Sequence, residues 1–116
     1  MKKIIFGLSF FAILSLPAVA AFQSGSGLLA QCTSRDNTQF NLCATYLKAT
    51  VDALEELSVS ENLKGEKYCG LNRATVGQLV EAFVSEAKNN PEKLSQGASS
   101  TVFSGFAKAF SCRGQN

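Results

Sequence analysis

Four cysteines set the strongest constraint on how this chain can fold. They are Cys32, Cys43, Cys69 and Cys112, and the 116-residue sequence contains no histidine. Their spacings of 11, 26 and 43 residues do not fit a zinc site, and a thiol nucleophile would lack the histidine that commonly activates it. An even number of cysteines in a small exported chain indicates two disulfides, for which three pairings are possible.

The N-terminal residues indicate that the chain is exported. Lys2-Lys3 precedes an almost wholly apolar stretch, residues 4–16, and Ala18-Val19-Ala20 matches the small-x-small pattern of a cleavage site. The apolar stretch is shorter than the roughly 20 residues that a membrane-spanning helix needs. We therefore predict a cleaved signal peptide, residues 1–20, and a mature domain, residues 21–116, that has no membrane anchor.

Cleavage would leave a domain without net charge. The chain has 11 Lys and Arg residues and 9 Asp and Glu residues, and two of the basic residues are Lys2 and Lys3. A neutral balance provides no overall field that attracts a polyanion. Neither nucleic acid nor an anionic membrane surface is therefore an expected partner.

Apolar residues recur at steps of three and four in three segments, which predicts an all-α domain with three longer helices. These are residues 38–57, a helix from Thr75 to a stop at Asn89-Asn90-Pro91, and residues 97–110. Thr75 and Gln78 match a capping box at the start of the second helix. Residues 28–32 allow only a short N-terminal helix behind a flexible leader, and residues 58–72 are expected to form an irregular connection.

The aromatic and acidic residues have ordinary structural roles in this interpretation. Glu81 and Glu86 are expected on a solvated helix face and not as a catalytic pair. The aromatic residues expected mostly in the core are Phe22, Phe40, Tyr46, Phe83, Phe103, Phe106 and Phe110. Without histidine, a tight carboxylate pair or a phosphate-binding loop, the sequence favours a non-enzymatic protein that needs no cofactor or metal.

Helix positions favour one of the three disulfide pairings. Cys32 ends the short helix and Cys43 lies early in the next, while Cys69 precedes the helix at Thr75 and Cys112 ends the last helix. We therefore favour Cys32–Cys43 and Cys69–Cys112, which would contribute about 3 and about 4 kcal/mol through loop-closure entropy. Both bonds would fasten helix ends and leave the connection between the last two helices free to meet a partner.

That connection, residues 88–97, is the candidate partner-binding segment, because loops on rigid scaffolds often carry binding. The residues assigned to it are Asn89, Asn90, Pro91, Glu92, Lys93, Leu94 and Ser95. A solvated helix connector without a binding role is an equal alternative. Leu94 is either an anchor for a partner's groove or a cap on the core.

The order of several short motifs resembles the Rap/Tai family of type VI secretion immunity proteins, over essentially the whole mature chain. The motifs are residues 26–32 (SGLLAQC), Cys43 with Tyr46 and Asp52-Ala53, Tyr68-Cys69, residues 74–80 (ATVGQLV), residues 90–93 (NPEK) and residues 107–112 (AKAFSC). The resemblance implies an all-α periplasmic protein, often a homodimer. Such a protein binds a peptidoglycan amidase delivered by a neighbouring cell and blocks its active-site groove.

Two other functions fit a small exported helical domain. A disulfide-bonded periplasmic chaperone of the holdase type is the main alternative, although the neutral charge balance offers no evident acid trigger. A carrier that holds a small apolar ligand on the phenylalanine-rich face of the last helix is a further one. Suppression of client aggregation at low pH would indicate a chaperone, and a co-purified lipid would indicate a carrier.

Overall fold

The computed structural model describes residues 22–59 and 68–112. Its helices are α1 (Gly25–Cys32), α2 (Asn37–Val59), α3 (Val76–Asn89) and α4 (Ala98–Ala109), with single 3₁₀ turns at Leu71–Arg73 and Pro91–Lys93. No strand forms within these two ranges, so the all-α prediction is confirmed. The predicted signal peptide and most of the 58–72 connection lie outside the described residues.

Local signals at the helix starts explain where α2 and α3 begin. The predicted capping box of α3 is confirmed: the Gln78 N–H donates to the Thr75 hydroxyl and the Thr75 N–H donates to the Gln78 side chain, at 3.2 and 2.9 Å. At the start of α2, the Asp36 carboxylate accepts the Gln39 N–H at 3.0 Å. Each side chain satisfies a backbone donor that the first helical turn leaves unpaired.

The expectation of a flexible leader at residues 24–27 is wrong. Ser24 caps α1 by accepting the Gly27 N–H at 3.0 Å, and α1 therefore starts at Gly25, which is buried. The prediction missed this start because two glycines in the first turn lower helix propensity. Tertiary contacts described below override that local preference.

The core lies where α3 and α4 pack on each other and on α1 and α2. Gly105 on α4 lies so close to α3 that an added Cβ would be 2.6 Å from the Ala82 carbonyl oxygen, so only glycine fits there. The largest fully buried side chains are Phe83, Phe106, Leu28, Leu47, Val102, Thr101 and Cys43. All four helices contribute to this set, which is why the short α1 belongs to the core.

Both favoured disulfides are present. Cys32 bonds Cys43 with a Cα–Cα distance of 5.1 Å, and Cys69 bonds Cys112 with a Cα–Cα distance of 5.0 Å. The first joins the end of α1 to the early part of α2. The second joins the chain before α3 to the chain after α4, where the Cys69 N–H also donates to the Phe110 carbonyl at 2.7 Å.

Three side chains differ from their predicted burial. Phe103 was expected to face inward but is 41% exposed, and Phe22 is 89% exposed. Glu86 was expected on a solvated face but is 3% exposed. The helical period places Phe103 and Glu86 at the borders of their apolar faces, and helix packing decides on which side of the border each one lies.

None of the helices in the described part of the chain combines the length and apolarity that a membrane crossing requires.

Replacing Thr101 by valine is expected to stabilise the domain. The Thr101 side chain is fully buried, and its hydroxyl has no hydrogen-bond partner among the described residues. The Thr101→Val change keeps the shape and removes an unsatisfied polar group, so the free energy of unfolding should rise by about 1–2 kcal/mol. Urea unfolding monitored by circular dichroism measures the change.

Thr50→Val is the matched control. Its half-buried hydroxyl donates to the Tyr46 carbonyl at 2.9 Å, so its removal should leave stability unchanged or slightly lower. A Thr101→Val variant that unfolds at lower urea than the parent protein would contradict the assignment of an unsatisfied hydroxyl.

Candidate functional site

The connection between α3 and α4, residues 90–97, is a series of tight turns, and the first two residues of the predicted segment, Lys88 and Asn89, still belong to α3. The Asn90 N–H donates to the Glu86 carbonyl at 3.0 Å where α3 ends. Pro91 then begins one 3₁₀ turn, in which the Leu94 N–H donates to the Pro91 carbonyl at 3.2 Å. Proline suits this place because its fixed φ matches a helical turn and its missing N–H is not needed.

The far half of the connection is attached to the segment that starts α1. The Gly25 N–H donates to the Gln96 carbonyl and the Ser26 N–H to the Leu94 carbonyl, both at 2.9 Å. The Ala98 N–H donates in the other direction, to the Gln23 carbonyl at 2.8 Å. The sequence analysis expected this connection to be left free by the scaffold. The structure instead shows it bonded to the start of α1.

Gly25 permits this close approach. A Cβ at this position would lie 3.0 Å from the Leu94 Cα and 3.2 Å from the Leu94 carbonyl oxygen. Both are backbone atoms, which cannot turn aside as the end of a flexible side chain can. Gly25 was missed as a site residue, although a serine N-cap directly before it was a local signal that α1 begins here.

The near half of the connection is held by a buried carboxylate. Lys108 on α4 forms an ion pair with Glu86 on α3, with 2.6 Å between Nζ and Oε2. The Asn90 side-chain amide donates to the other carboxylate oxygen of Glu86 at 2.9 Å. Glu86 thus joins α3, α4 and the first residue of the connection, and both of its oxygens are paired as burial requires.

Leu94 lies partly buried against the core. Leu94 was expected either to anchor in a partner's groove or to cap the core, and its contacts fit the second role. Asn90 and Lys93 are half-buried, whereas Asn89, Pro91, Glu92 and Ser95 are exposed. Apart from Pro91, the surface that a partner would meet here is therefore polar, and it carries the exposed Glu92 beside the half-buried Lys93.

Elsewhere on the described surface, the notable features are a partly buried tyrosine and open grooves. Partial burial raises the pKa of the Tyr46 hydroxyl above its usual 10.0, so this group stays protonated at neutral pH and is a poor base. Among the described residues, no cluster of three Asp, Glu or Cys side chains is arranged to hold a metal ion. The described residues line open grooves, among them one of about 280 Å³ beside Phe110 and one of about 330 Å³ beside Leu71.

The phenylalanines of α4 and of its C-cap, Phe110, do not form one ligand-binding face. Phe106 is fully buried and packs edge-to-face on Phe110, with ring centroids 5.9 Å apart. Phe103 is largely exposed to solvent. The three rings thus divide between core and surface.

Comparison with known proteins gives a match to a protein family. A family model described as Rap1a immunity proteins matches residues 24–112. The matched range starts at Ser24, the N-cap of α1, and ends at Cys112, so it includes the four helices, both disulfides and the α3–α4 connection. No curated protein and no solved structure matches.

Removing the cation beside Glu86 is expected to weaken the base of the α3–α4 connection. Lys108→Ala leaves a 3% exposed carboxylate without its counter-charge. Because Lys108 itself is 66% exposed and water can partly replace it, we expect a loss of about 1–2 kcal/mol, less than for a fully buried pair. Urea unfolding gives this value.

Lys88→Ala serves as the control, since Lys88 is an exposed lysine in the last turn of α3. Its replacement should change stability by no more than about 0.5 kcal/mol. Equal losses in the two variants would mean that the Glu86–Lys108 pair contributes nothing specific.

Proposed function

We propose that this chain, which belongs to the Rap1a immunity protein family, protects its cell by binding and occluding a peptidoglycan amidase of the type VI secretion system. Membership of the family makes it an immunity protein for a secreted effector, which it binds directly. The amidase target and the periplasmic site of action are the proposal. The family match over residues 24–112 is the observation that carries it.

The cysteines support a periplasmic location. All four are joined in disulfides and none is free, and such bonds persist in oxidising compartments. The basic, apolar and small-residue zones of residues 1–20 fit a leader that a signal peptidase removes. A periplasmic immunity protein meets an amidase in the compartment that contains peptidoglycan.

The α3–α4 connection supports blocking by occlusion. Its turns are bonded to α1 at one end and to Glu86 at the other, so little conformational entropy is left to lose on binding. Its surface is polar apart from Pro91 and carries the exposed Glu92 beside the half-buried Lys93, which suits complementary contacts with a catalytic groove. We propose residues 89–95 as the part of this protein that enters the groove.

A charge reversal within the connection is expected to weaken binding of the amidase. The variant Glu92→Lys with Lys93→Glu keeps the net charge and replaces residues at the surface of the connection. Misplaced charges should lower affinity for the cognate amidase at least about tenfold, which is about 1.4 kcal/mol. The partner to test is an amidase encoded beside this gene, produced in the periplasm with and without each variant.

The control reverses two charges elsewhere, Lys48→Glu with Asp52→Lys, on the exposed side of α2. Cells that make the parent protein or this control should survive amidase production, and titration calorimetry should give both the same affinity within about twofold. If the parent protein neither rescues the cells nor forms a complex at micromolar concentration, that amidase is rejected as the target. Loss of binding in the control alone would move the binding surface to α2.

We also propose a homodimer, as the resemblance to the immunity family implies. Light scattering of the mature domain, residues 21–116, is expected to give twice the chain mass at micromolar concentration. A mass equal to one chain at 100 µM would reject the dimer and leave the binding proposal untouched.

A further inference from the structure

The short helix α1 connects the Cys32–Cys43 disulfide to the α3–α4 connection. Its last residue is Cys32, which is bonded to Cys43 on α2. Its first residues, Gly25 and Ser26, donate backbone hydrogen bonds to the Gln96 and Leu94 carbonyls at 2.9 Å. A covalent bond thus lies at one end of an eight-residue helix and the proposed binding segment at the other.

α1 cannot hold this position by its own helical stability. Helices shorter than about 12–15 residues are marginal in water, and α1 has two glycines in its first turn. α1 also lacks an acidic residue in its first turn and a basic residue in its last turn, so no charged side chain interacts favourably with its helix dipole. Its position therefore depends on the burial of Leu28 and on the disulfide.

The connection in turn depends on α1. Gly97, the N-cap of α4, provides no side-chain hydrogen bond, and the Ala98 N–H finds its acceptor in the Gln23 carbonyl at 2.8 Å. When α1 moves away, the Leu94 and Gln96 carbonyls and the Ala98 N–H lose their partners together. The turn at Pro91–Lys93 would then keep its own backbone hydrogen bonds, the bond between Asn90 and Glu86 and the packing of Leu94, but no bond to α1.

We infer that Cys32–Cys43 is a positioning bond for effector recognition: through α1 it holds residues 94–98 in the binding conformation. This inference rests on the proposed function of the connection. Cys69–Cys112 has no such role, because it lies beyond the opposite end of α4. α4 has 12 residues, so its two ends lie about 18 Å apart at 1.5 Å per residue.

The test compares two mature variants, Cys32→Ser with Cys43→Ser and Cys69→Ser with Cys112→Ser, the latter as control. The control removes a disulfide that closes a 43-residue loop, whereas the first variant removes one that closes an 11-residue loop. The control should therefore lose more stability. Hydrogen exchange at Gly25, Ser26 and Ala98 should accelerate at least about tenfold in the first variant and much less in the control. Affinity for the amidase should fall at least about tenfold in the first variant only.

A glycine substitution tests the same positioning while both disulfides remain. Gly25→Ala places a methyl group 3.0 Å from the Leu94 Cα, whereas at Gly77 an added Cβ has its nearest neighbour, the Thr75 hydroxyl, at 3.9 Å. Gly25→Ala should therefore reproduce the faster exchange at Ala98 and the weaker binding. Gly77→Ala should change neither.

The exchange measurements need no effector, so the two proposals can fail separately. If the parent protein binds no amidase but exchange accelerates as described, the amidase target is wrong and the positioning by the disulfide stands. Unchanged exchange at Ala98 in both the Cys32→Ser/Cys43→Ser and Gly25→Ala variants overturns the inference, whatever the binding result. Faster exchange with unchanged binding overturns its link to recognition.

Discussion

Close packing of α3 on α4 is the contact on which the rest of this domain depends. Gly105 allows the two backbones to approach until a methyl group would meet the Ala82 carbonyl. The same approach brings Lys108 to Glu86, and the Asn90 side chain completes the pairing of that carboxylate. A larger residue at Gly105 would separate the helices, weaken this network and stretch the connection that joins them.

One of the two disulfides closes an end of this helix pair, and the other joins α1 to α2. A domain of this size buries a modest fraction of its surface, so covalent constraints add a large share of its net stability. Cys69–Cys112 closes the end where the chain enters α3 and leaves α4. At the other end no disulfide touches the connection directly, and α1 transmits the constraint of Cys32–Cys43 through backbone hydrogen bonds.

This arrangement would allow the proposed binding segment, residues 89–95, to act as a recognition surface. Glu92 and Lys93 would contribute little as isolated surface charges, because water screens them. A scaffold that fixes the backbone beneath them removes much of the ordering cost that a flexible loop pays on binding. With no net charge in the predicted mature domain, recognition would rest on local complementarity and not on long-range attraction.

The sequence by itself determined the features that depend on neighbours along the chain. The helical period and the Thr75–Gln78 capping box predicted the three longer helices, because both signals act within a few residues. The disulfide pairing followed from which helix ends adjoin in a short bundle. Family resemblance, carried by short motifs in a fixed order, was likewise a property of the sequence alone.

Only the tertiary structure decided the features that depend on distant residues. Lys108 is 22 positions from Glu86, and the partners of Gly25 lie in the α3–α4 connection, so no local pattern predicted the buried ion pair or the attachment of that connection. For the same reason the exposure of Phe103 and the start of α1 at Gly25 were not predicted. Each depends on which helix faces meet, and helix packing sets that geometry in three dimensions.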